Sequence, residues 1–439
     1  MSDAQLKPLY QQHIDIITKR YQAAMTKHGF DHIVIPAGSL HKVFLDDWTY
    51  PFRSNFHFNY FVPIETLHDS CLVISADGQR KLCYYQPVDF WHVVAQDPEG
   101  FWVDSFDISI TRNKDEVRRF LPNTGSVAFV GEMSYPFHDD DFDAINPGNL
   151  IHEINWHRST KTEYEIANIT NANKKAALGH LAAKEMFYNK GSELEIHLAY
   201  LLASGQVESQ LPYTNITGLN EHASILHYMV YDTERPQEHR SFLIDAGARS
   251  NCYAADITRT YAFEHNEFSE MVADMDAAQQ RLCAQVKAGD SYVDLHMKCH
   301  LEVGKVLNKY HICDLTPESM LETGITRTFY PHGLGHHLGL QVHDLGALQA
   351  NIEGDMQPPP EEHSLLRTTR PMEVGQVLTI EPGLYFIDSL FQDLQATEYG
   401  SNVNWQRVED FKPFGGIRIE DNVVVTDQGH HNITRQFLD

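Results

Sequence analysis

Four histidines, His332, His336, His337 and His343, stand among glycines in the stretch YPHGLGHHLGLQVHD, residues 330–344. Glycine frees the backbone from the Cβ restriction, so a run of Gly and His reads as a loop or bent strand shaped around something. Four carboxylates elsewhere suggest what that is. Asp245 ends the strand-like SFLIDAG and Asp256 sits in YAADITRTYAF. A tight hairpin turning at Ser250 and Asn251 would set the two aspartates directly opposite each other, where like charges repel unless a cation lies between them. By two-residue alternation, Glu381 in VLTIEPG lies opposite Leu378 and Ile380, and Arg418 and Glu420 in GGIRIED lie opposite Ile417 and Ile419. Several half-buried anions cannot coexist unpaired: they must protonate or share cations. Two divalent ions resolve the conflict. Four carboxylates with one imidazole make an oxygen-rich donor set, which favours Mn2+, Fe2+, Co2+ or Mg2+ over structural zinc, with Mn2+ the first choice. Two such ions at roughly 3.5 to 4 Å would share and acidify a water, so the expected chemistry is metal-assisted hydrolysis at a carbonyl or phosphoryl centre. Taken singly, each motif has a duller reading as a turn cap, a proline turn, a surface ion pair or a solvated loop. Their joint occurrence in this order carries the argument.

The elements that must position these residues fall into two groups. An amphipathic N-terminal helix precedes short apolar strands, HIVIPA (32–37), SCLVISA (70–76), KLCYY (81–85) and VAFVG (127–131), divided by Asp, Gly and Pro turns. They predict a small α/β domain over residues 1–160. From 161 to 439 the order is long helices, then strands with helical segments at roughly 266–288 and 293–310 between them, an α+β pattern of helices covering a mainly antiparallel sheet. Ser192 and Glu195 stand at the capping-box interval and open a helix. NIEGDMQPPPEEHS (351–364) reads as an exposed loop.

Composition narrows the function classes. The chain has 439 residues, and 60 acidic against 34 basic side chains give a formal charge of -26, which repels a phosphate backbone and argues against nucleic acid. No apolar run is long enough to span a membrane, and the N-terminus has no signal-peptide pattern. Six cysteines without a C-x-x-C pair fit free thiols in a reducing compartment, so a cytoplasmic location is expected.

The ordered set DAG, DITRT, GHHLGL, TIEPG and RIED resembles the pita-bread metallopeptidases, a family that includes methionine aminopeptidase, aminopeptidase P and prolidase. The N-terminal runs FLDDWTYPFRSNFHFNYFVP and PVDFWH are similar to the bacterial prolidase branch. The resemblance implies a C-terminal pita-bread domain with a curved sheet, and two metal ions per subunit held by Asp245, Asp256, His336, Glu381 and Glu420. It implies cleavage of Xaa-Pro dipeptides, with Glu381 as proton shuttle, His343 supporting the oxyanion, and His332 and Arg418 holding the substrate carboxylate. For Arg418 a role as a supporting partner of Glu420 stands equally. Tyr213, Leu226, His227, Tyr292, Val342 and Leu366 match pocket-lining positions, and Asp47 matches a residue that reaches the partner's site in a homodimer. HGLGHH and the 39-residue interval from Glu381 to Glu420 are similar to the organophosphorus acid anhydrolase subgroup, which implies side activity on P-F or P-O bonds. His337 and the 386–414 segment receive no role. Competing readings are an aminopeptidase P acting on longer peptides and a non-catalytic pita-bread binding module.

Overall fold

The computed structural model describes residues 2–438, which divide into two compact units. The first holds the chain up to Asn168 together with Asn251–Tyr253 and Asn351–Asp355; the second holds the rest. The first unit opens with the helix Asp3–His28, whose buried Leu6, Tyr10, His13, Ile14, Ile17, Tyr21 and Met25 recur every three or four residues and so form one apolar face. It stops at Gly29, where φ of 77° gives the left-handed cap that glycine adopts without penalty. The following strands are β1 (His32–Pro36), β2 (Cys71–Ser75), β3 (Arg80–Tyr85), β4 (Asp107–Thr111), β5 (Val127–Phe129) and β6 (Ala144–Ile145). They form one mixed sheet in the order β4-β3-β2-β1-β5-β6, with Val34, Cys71, Val73, Cys83 and Phe129 in its core.

In the second unit the helix Glu193–Ser204 begins at the expected capping box. Glu195 N–H donates to Ser192 Oγ at 3.2 Å and Ser192 N–H donates to Glu195 Oε2 at 2.8 Å. Strands β7 (Ile216–Leu219), β8 (Ser241–Asp245) and β11 (Thr258–Ala262) pair antiparallel in the order β11-β8-β7, with the two-residue β9 (Arg249–Ser250) and β10 (Tyr253–Ala254) between β8 and β11. Strands β12 (Val377–Ile380), β15 (Asp421–Thr426) and β16 (Gly429–Asn432) form a second antiparallel group, and β13 (Gly383–Tyr385) pairs with β14 (Gly416–Arg418). A bridge between Thr258 and Glu420 joins β11 to the segment between β14 and β15.

The apolar side of these strands is the side the alternation predicted. Leu378, Ile380, Ile417 and Ile419 are all buried in one cluster with Met271, Met275 and Leu282 of the helix Glu267–Cys283 and with Leu295 and Val303 of the helix Tyr292–Lys309. Their polar neighbours in sequence, Glu381, Arg418 and Glu420, are thereby turned to the other face. All six cysteines are buried and free, and no helix among the described residues is long and apolar enough to cross a membrane.

The aspartate hairpin differs from the expected register. Asp245 pairs with Thr258 rather than Asp256, and the same register continues through Ala246 N–H to Ile257 O and Ala255 N–H to Ala248 O. The turn lies one residue further along, at Asn251 and Cys252, both with positive φ (45° and 75°). Two consecutive left-handed residues make a primed turn, whose twist matches that of the flanking strands. Moving the turn by one position shifts the register by two, which preserves the face. Asp245 and Asp256 are therefore diagonal neighbours on one side, not opposites.

A buried ion network locks β11 to β15. Arg259 Nη2 donates to Asp421 Oδ1 at 2.7 Å, Arg435 Nε donates to Asp421 Oδ2 at 2.6 Å, and Arg259 Nη1 reaches the carbonyl of Glu420 at 2.8 Å. Burial alone would raise the Asp421 carboxyl, but the guanidinium groups of Arg259 and Arg435 outweigh it and hold it below its ordinary value. A depressed folded-state value means a contribution to stability that is present above the unfolded value, roughly pH 4, and is lost as pH falls through the folded one. Asp421→Asn leaves Arg259 buried without its counter-charge and is expected to cost about 3–5 kcal/mol in urea unfolding at pH 7. A loss below about 1 kcal/mol would mean that water relieves the charge.

Candidate metal centre

The polar faces of β8, β11, β12 and β14 converge on one cluster. Asp245 at the end of β8 accepts from Tyr213 Oη at 2.7 Å and from Arg418 Nη2 at 2.7 Å. Asp256 accepts from the same Tyr213 hydroxyl at 2.5 Å, and its other oxygen lies 3.4 Å from His336 Nε2. One hydroxyl carries one proton, so it can satisfy only one of the two carboxylates. Glu420 accepts from Thr258 Oγ1 at 2.7 Å. Glu381, just past β12, lies 3.7 Å from His336 Nε2 and 3.8 Å from His332 Nδ1.

Local backbone chemistry sets the His336 ring. Its amide N–H donates to Thr379 Oγ1 at 3.0 Å, and its Nδ1 lies 3.0 Å from the carbonyl of His337. A proton on Nδ1 toward that carbonyl leaves the Nε2 lone pair facing the carboxylates, the arrangement in which imidazole ligates a metal. His337 thus acts through its carbonyl, while its ring is fully buried. Gly335 passes so close to β12 that a Cβ there would lie 2.2 Å from the Thr379 carbonyl, at a φ of 156°. The glycine is what lets the His loop lie against the strand.

The electrostatics follow from crowding. Burial raises Asp245 despite the opposing charge of Arg418, and burial with neighbouring Asp256, Glu381 and Asp245 drives Glu420 well above its ordinary value. Burial lifts Glu381 to about 7, with His336 opposing and Asp256 adding. Asp256 alone falls, because contacts with His336 and Tyr213 overcome its burial. Against its own burial, His336 is carried upward by Asp256 and Glu381. Four carboxylates cannot remain ionised together here unaided. Two divalent cations would take up that charge, and the oxygen-rich donor set fits them. One atom each from Asp256, His336 and Glu420 already lies within 4.8 Å of the others.

A second polar chain borders the carboxylates. Arg418 Nη1 donates to Tyr385 Oη at 2.9 Å, Tyr385 Oη is 2.8 Å from His332 Nε2, and His332 Nδ1 is 2.8 Å from Gly333 O. Arg418 also donates from Nε to Thr258 Oγ1 at 3.3 Å, so its carboxylate partner is Asp245 rather than Glu420. Burial, with the charge of Arg418, keeps His332 neutral, its value lowered to about 3. His343 is exposed, with its ring edge-on to His336 at 4.5 Å between centroids. Desolvation beside the cluster, then the charges of His336 and Arg367, lower it to about 3 although the residue keeps an open surface.

Among the other expected pocket residues, Tyr213 bridges the two aspartates, His227 is exposed, and Leu226 and Val342 are half-buried. Leu366 is buried, with its Cα 2.8 Å from where a Cβ on Gly333 would sit. Tyr292 lies wholly in the core and donates to the Thr379 carbonyl at 2.8 Å, beneath the site. Asp47 is exposed in the first unit. Tyr385, Thr258 and Thr379 went unnoticed in the sequence. The alternation that selects Glu381 also selects Thr379, so that signal was present; Tyr385 has none short of the pairing that places Gly383 beside Arg418.

Two family models together cover most of the chain. The family model of the Xaa-Pro dipeptidase N-terminal domain matches residues 8–156, and that of metallopeptidase family M24 matches residues 167–427. An Xaa-Pro dipeptidase of Pseudoalteromonas translucida (strain TAC 125) is 46% identical, covering 98% of this chain and 99% of its own. One from Stenotrophomonas maltophilia (strain K279a) is 43% identical over 97% and 96%. Among solved structures, Escherichia coli aminopeptidase P with the inhibitor Pro-Leu superposes with a TM-score of 0.73 at 22% identity, covering 97% and 96% of the two chains, which establishes the shared fold. Family M24 is one of metallopeptidases with a dinuclear divalent-metal site, and the carboxylates gathered here are candidate ligands for it. The chain belongs to metallopeptidase family M24, in its bacterial prolidase branch.

Protons compete with cations for these carboxylates. Because burial holds Glu381 at about 7, metal loading is expected to weaken as pH falls from 8 through 7 to 6. Equilibrium dialysis with Mn2+ at the three pH values checks this; flat loading would show that Glu381 does not contribute.

Proposed function

We propose that this chain is an Xaa-Pro dipeptidase whose two metal ions, Mn2+ by preference, are held by Asp245, Asp256, His336, Glu381 and Glu420. The observation that carries the reading is the single Tyr213 hydroxyl shared by Asp245 and Asp256, in a buried cluster where Glu381 and Glu420 add two more carboxylates. That density of anions makes chemical sense as a cation cage. When bound, such ions polarise a scissile carbonyl and acidify water.

The chain's own residues supply the rest. Glu381 carries a proton from water to the leaving proline nitrogen. His343, neutral and exposed, donates to the developing oxyanion. His332 and Arg418, joined through Tyr385, form the polar wall that receives the proline carboxylate, Arg418 acting mainly through its charge because Asp245, Tyr385 and Thr258 already engage its nitrogens. Leu226, His227, Val342 and Leu366 shape the pocket for the Xaa side chain and the proline ring, with Tyr292 supporting from below.

A homodimer is part of this proposal. Exposed Phe44, Leu45, Trp48 and Tyr50 surround Asp47, an apolar patch suited to a second copy, and Asp47 would meet the substrate amino group in the partner's pocket. The buried free thiols support a cytoplasmic home. Hydrolysis of P-F bonds at the same centre is proposed as a side activity, because a tetrahedral phosphorus resembles the tetrahedral intermediate.

Release of free proline from Leu-Pro tests the reading. Mn2+-loaded protein is expected to cleave Leu-Pro, to leave Leu-Pro-Gly nearly untouched, and to lose activity on chelation. Glu381→Gln should lower the rate by about 10²–10⁴-fold. Preferential cleavage of Leu-Pro-Gly would make the chain an aminopeptidase P instead.

A further inference from the structure

A second concentration of metal-binding side chains lies outside the carboxylate centre. His296 and His300 stand four residues apart in the helix Tyr292–Lys309, hence on one face. The third, His363, comes from the short helical turn Glu361–His363 in the loop that follows the three prolines. All three side chains are buried, and one nitrogen from each lies within 4.8 Å of the others.

Hydrogen bonding alone does not satisfy this arrangement. His296 Nε2 is 2.9 Å from His363 Nδ1 and 3.3 Å from His300 Nε2. A neutral ring nitrogen offers either one proton or one lone pair, so His296 Nε2 can serve only one of the two neighbours. The opposite nitrogen of His300 is occupied, 3.0 Å from Thr326 Oγ1, which orients that ring with Nε2 toward the cluster. His296 Nδ1 is buried with no hydrogen-bond partner among the described residues, so a proton placed there to free the Nε2 lone pair goes unpartnered, a cost that a bound ion has to offset. Burial, then mutual repulsion, keeps His296 and His300 neutral, lowered to about 3 and about 2, and burial lowers His363. Arg327 also stands nearby and its charge adds to the lowering of His300 and His363, partly offset by its ion pair with Glu362 at 3.0 Å.

We propose that His296, His300 and His363 form a third metal site, for a divalent ion of zinc type, which pins the 356–370 loop to the Tyr292–Lys309 helix. A tetrahedral ion holding nitrogens at about 2.0–2.1 Å separates them by about 3.3–3.4 Å, close to the His296–His300 spacing. Three imidazoles form the nitrogen donor set that selects zinc, copper or nickel, whereas the carboxylate centre selects manganese. The two sites therefore differ in metal preference. The loop matters to the neighbouring centre, because Leu366 N–H donates to His363 O at 2.9 Å and Arg367 lies within electrostatic reach of His343. An ion on His363 would hold Leu366 and Arg367 in place.

The test counts ions in the full-length protein. Mn2+-loaded protein is incubated with a small excess of Zn2+, desalted, and total metal per chain is measured for the wild type, His300→Gln and His363→Gln. The wild type is expected to carry one ion more than either variant, whatever exchange takes place at the carboxylates. Zn2+ should also raise the thermal midpoint of the wild type and not that of His363→Gln. Equal ion counts in all three proteins overturn the proposal, since they would mean no third ion or one bound elsewhere. A wild type that shows no Zn2+-dependent rise in midpoint overturns the pinning of the loop. Because the readout is a difference between proteins, failure of dipeptidase activity would leave it unaffected.

Discussion

Everything in the second unit is arranged around the repulsion of four carboxylates in one buried pocket. Asp245, Asp256, Glu381 and Glu420 come from separate strand ends, and burial raises all but Asp256. A fold optimised for stability alone would not gather them. The arrangement carries unfavourable electrostatic energy that bound cations would relieve, so affinity for metal would arise from the same contacts that burden the metal-free protein.

Two devices hold the anions in place despite that repulsion. The first is backbone continuity: Glu420 donates its N–H to Thr258 O and is bridged to β11, so the two carboxylate-bearing segments share a ladder. The second is cationic buttressing just outside the pocket. Arg418 neutralises part of Asp245, and Arg259 with Arg435 clamps Asp421 one residue beyond Glu420. The apolar faces of the same strands pack on the helices Glu267–Cys283 and Tyr292–Lys309, so moving a carboxylate would also move the core.

The histidine-rich stretch turns out to contain several different kinds of position. His336 faces the carboxylates through a ring fixed by the next residue's carbonyl, His332 closes a chain through Tyr385 to Arg418, His343 is exposed, and His337 is buried. Glycine makes this possible at Gly335, where no side chain would fit against β12. A second group of histidines, at 296, 300 and 363, had no visible pattern in the linear chain beyond a four-residue spacing. Their meeting depends on a long loop folding back onto a helix.

The sequence by itself singled out the carboxylates and the histidine that converge, and the faces they occupy. Strand alternation is a period of two and survives any packing, so Leu378 and Ile380 inward and Glu381 outward follow from spacing alone. The ordered motifs likewise identified the family, because their residue types and order are rarely combined by chance. Only the tertiary structure decided register and partnership. The turn at Asn251 and Cys252 set Asp245 beside Thr258, a shift of two residues that local propensity does not resolve because it leaves every side chain on the same face. It likewise assigned Arg418 to Asp245 and Tyr385, and brought His363 to His296 across 67 residues of chain. Such contacts depend on where distant segments pack, which is not encoded in the neighbourhood of any one residue.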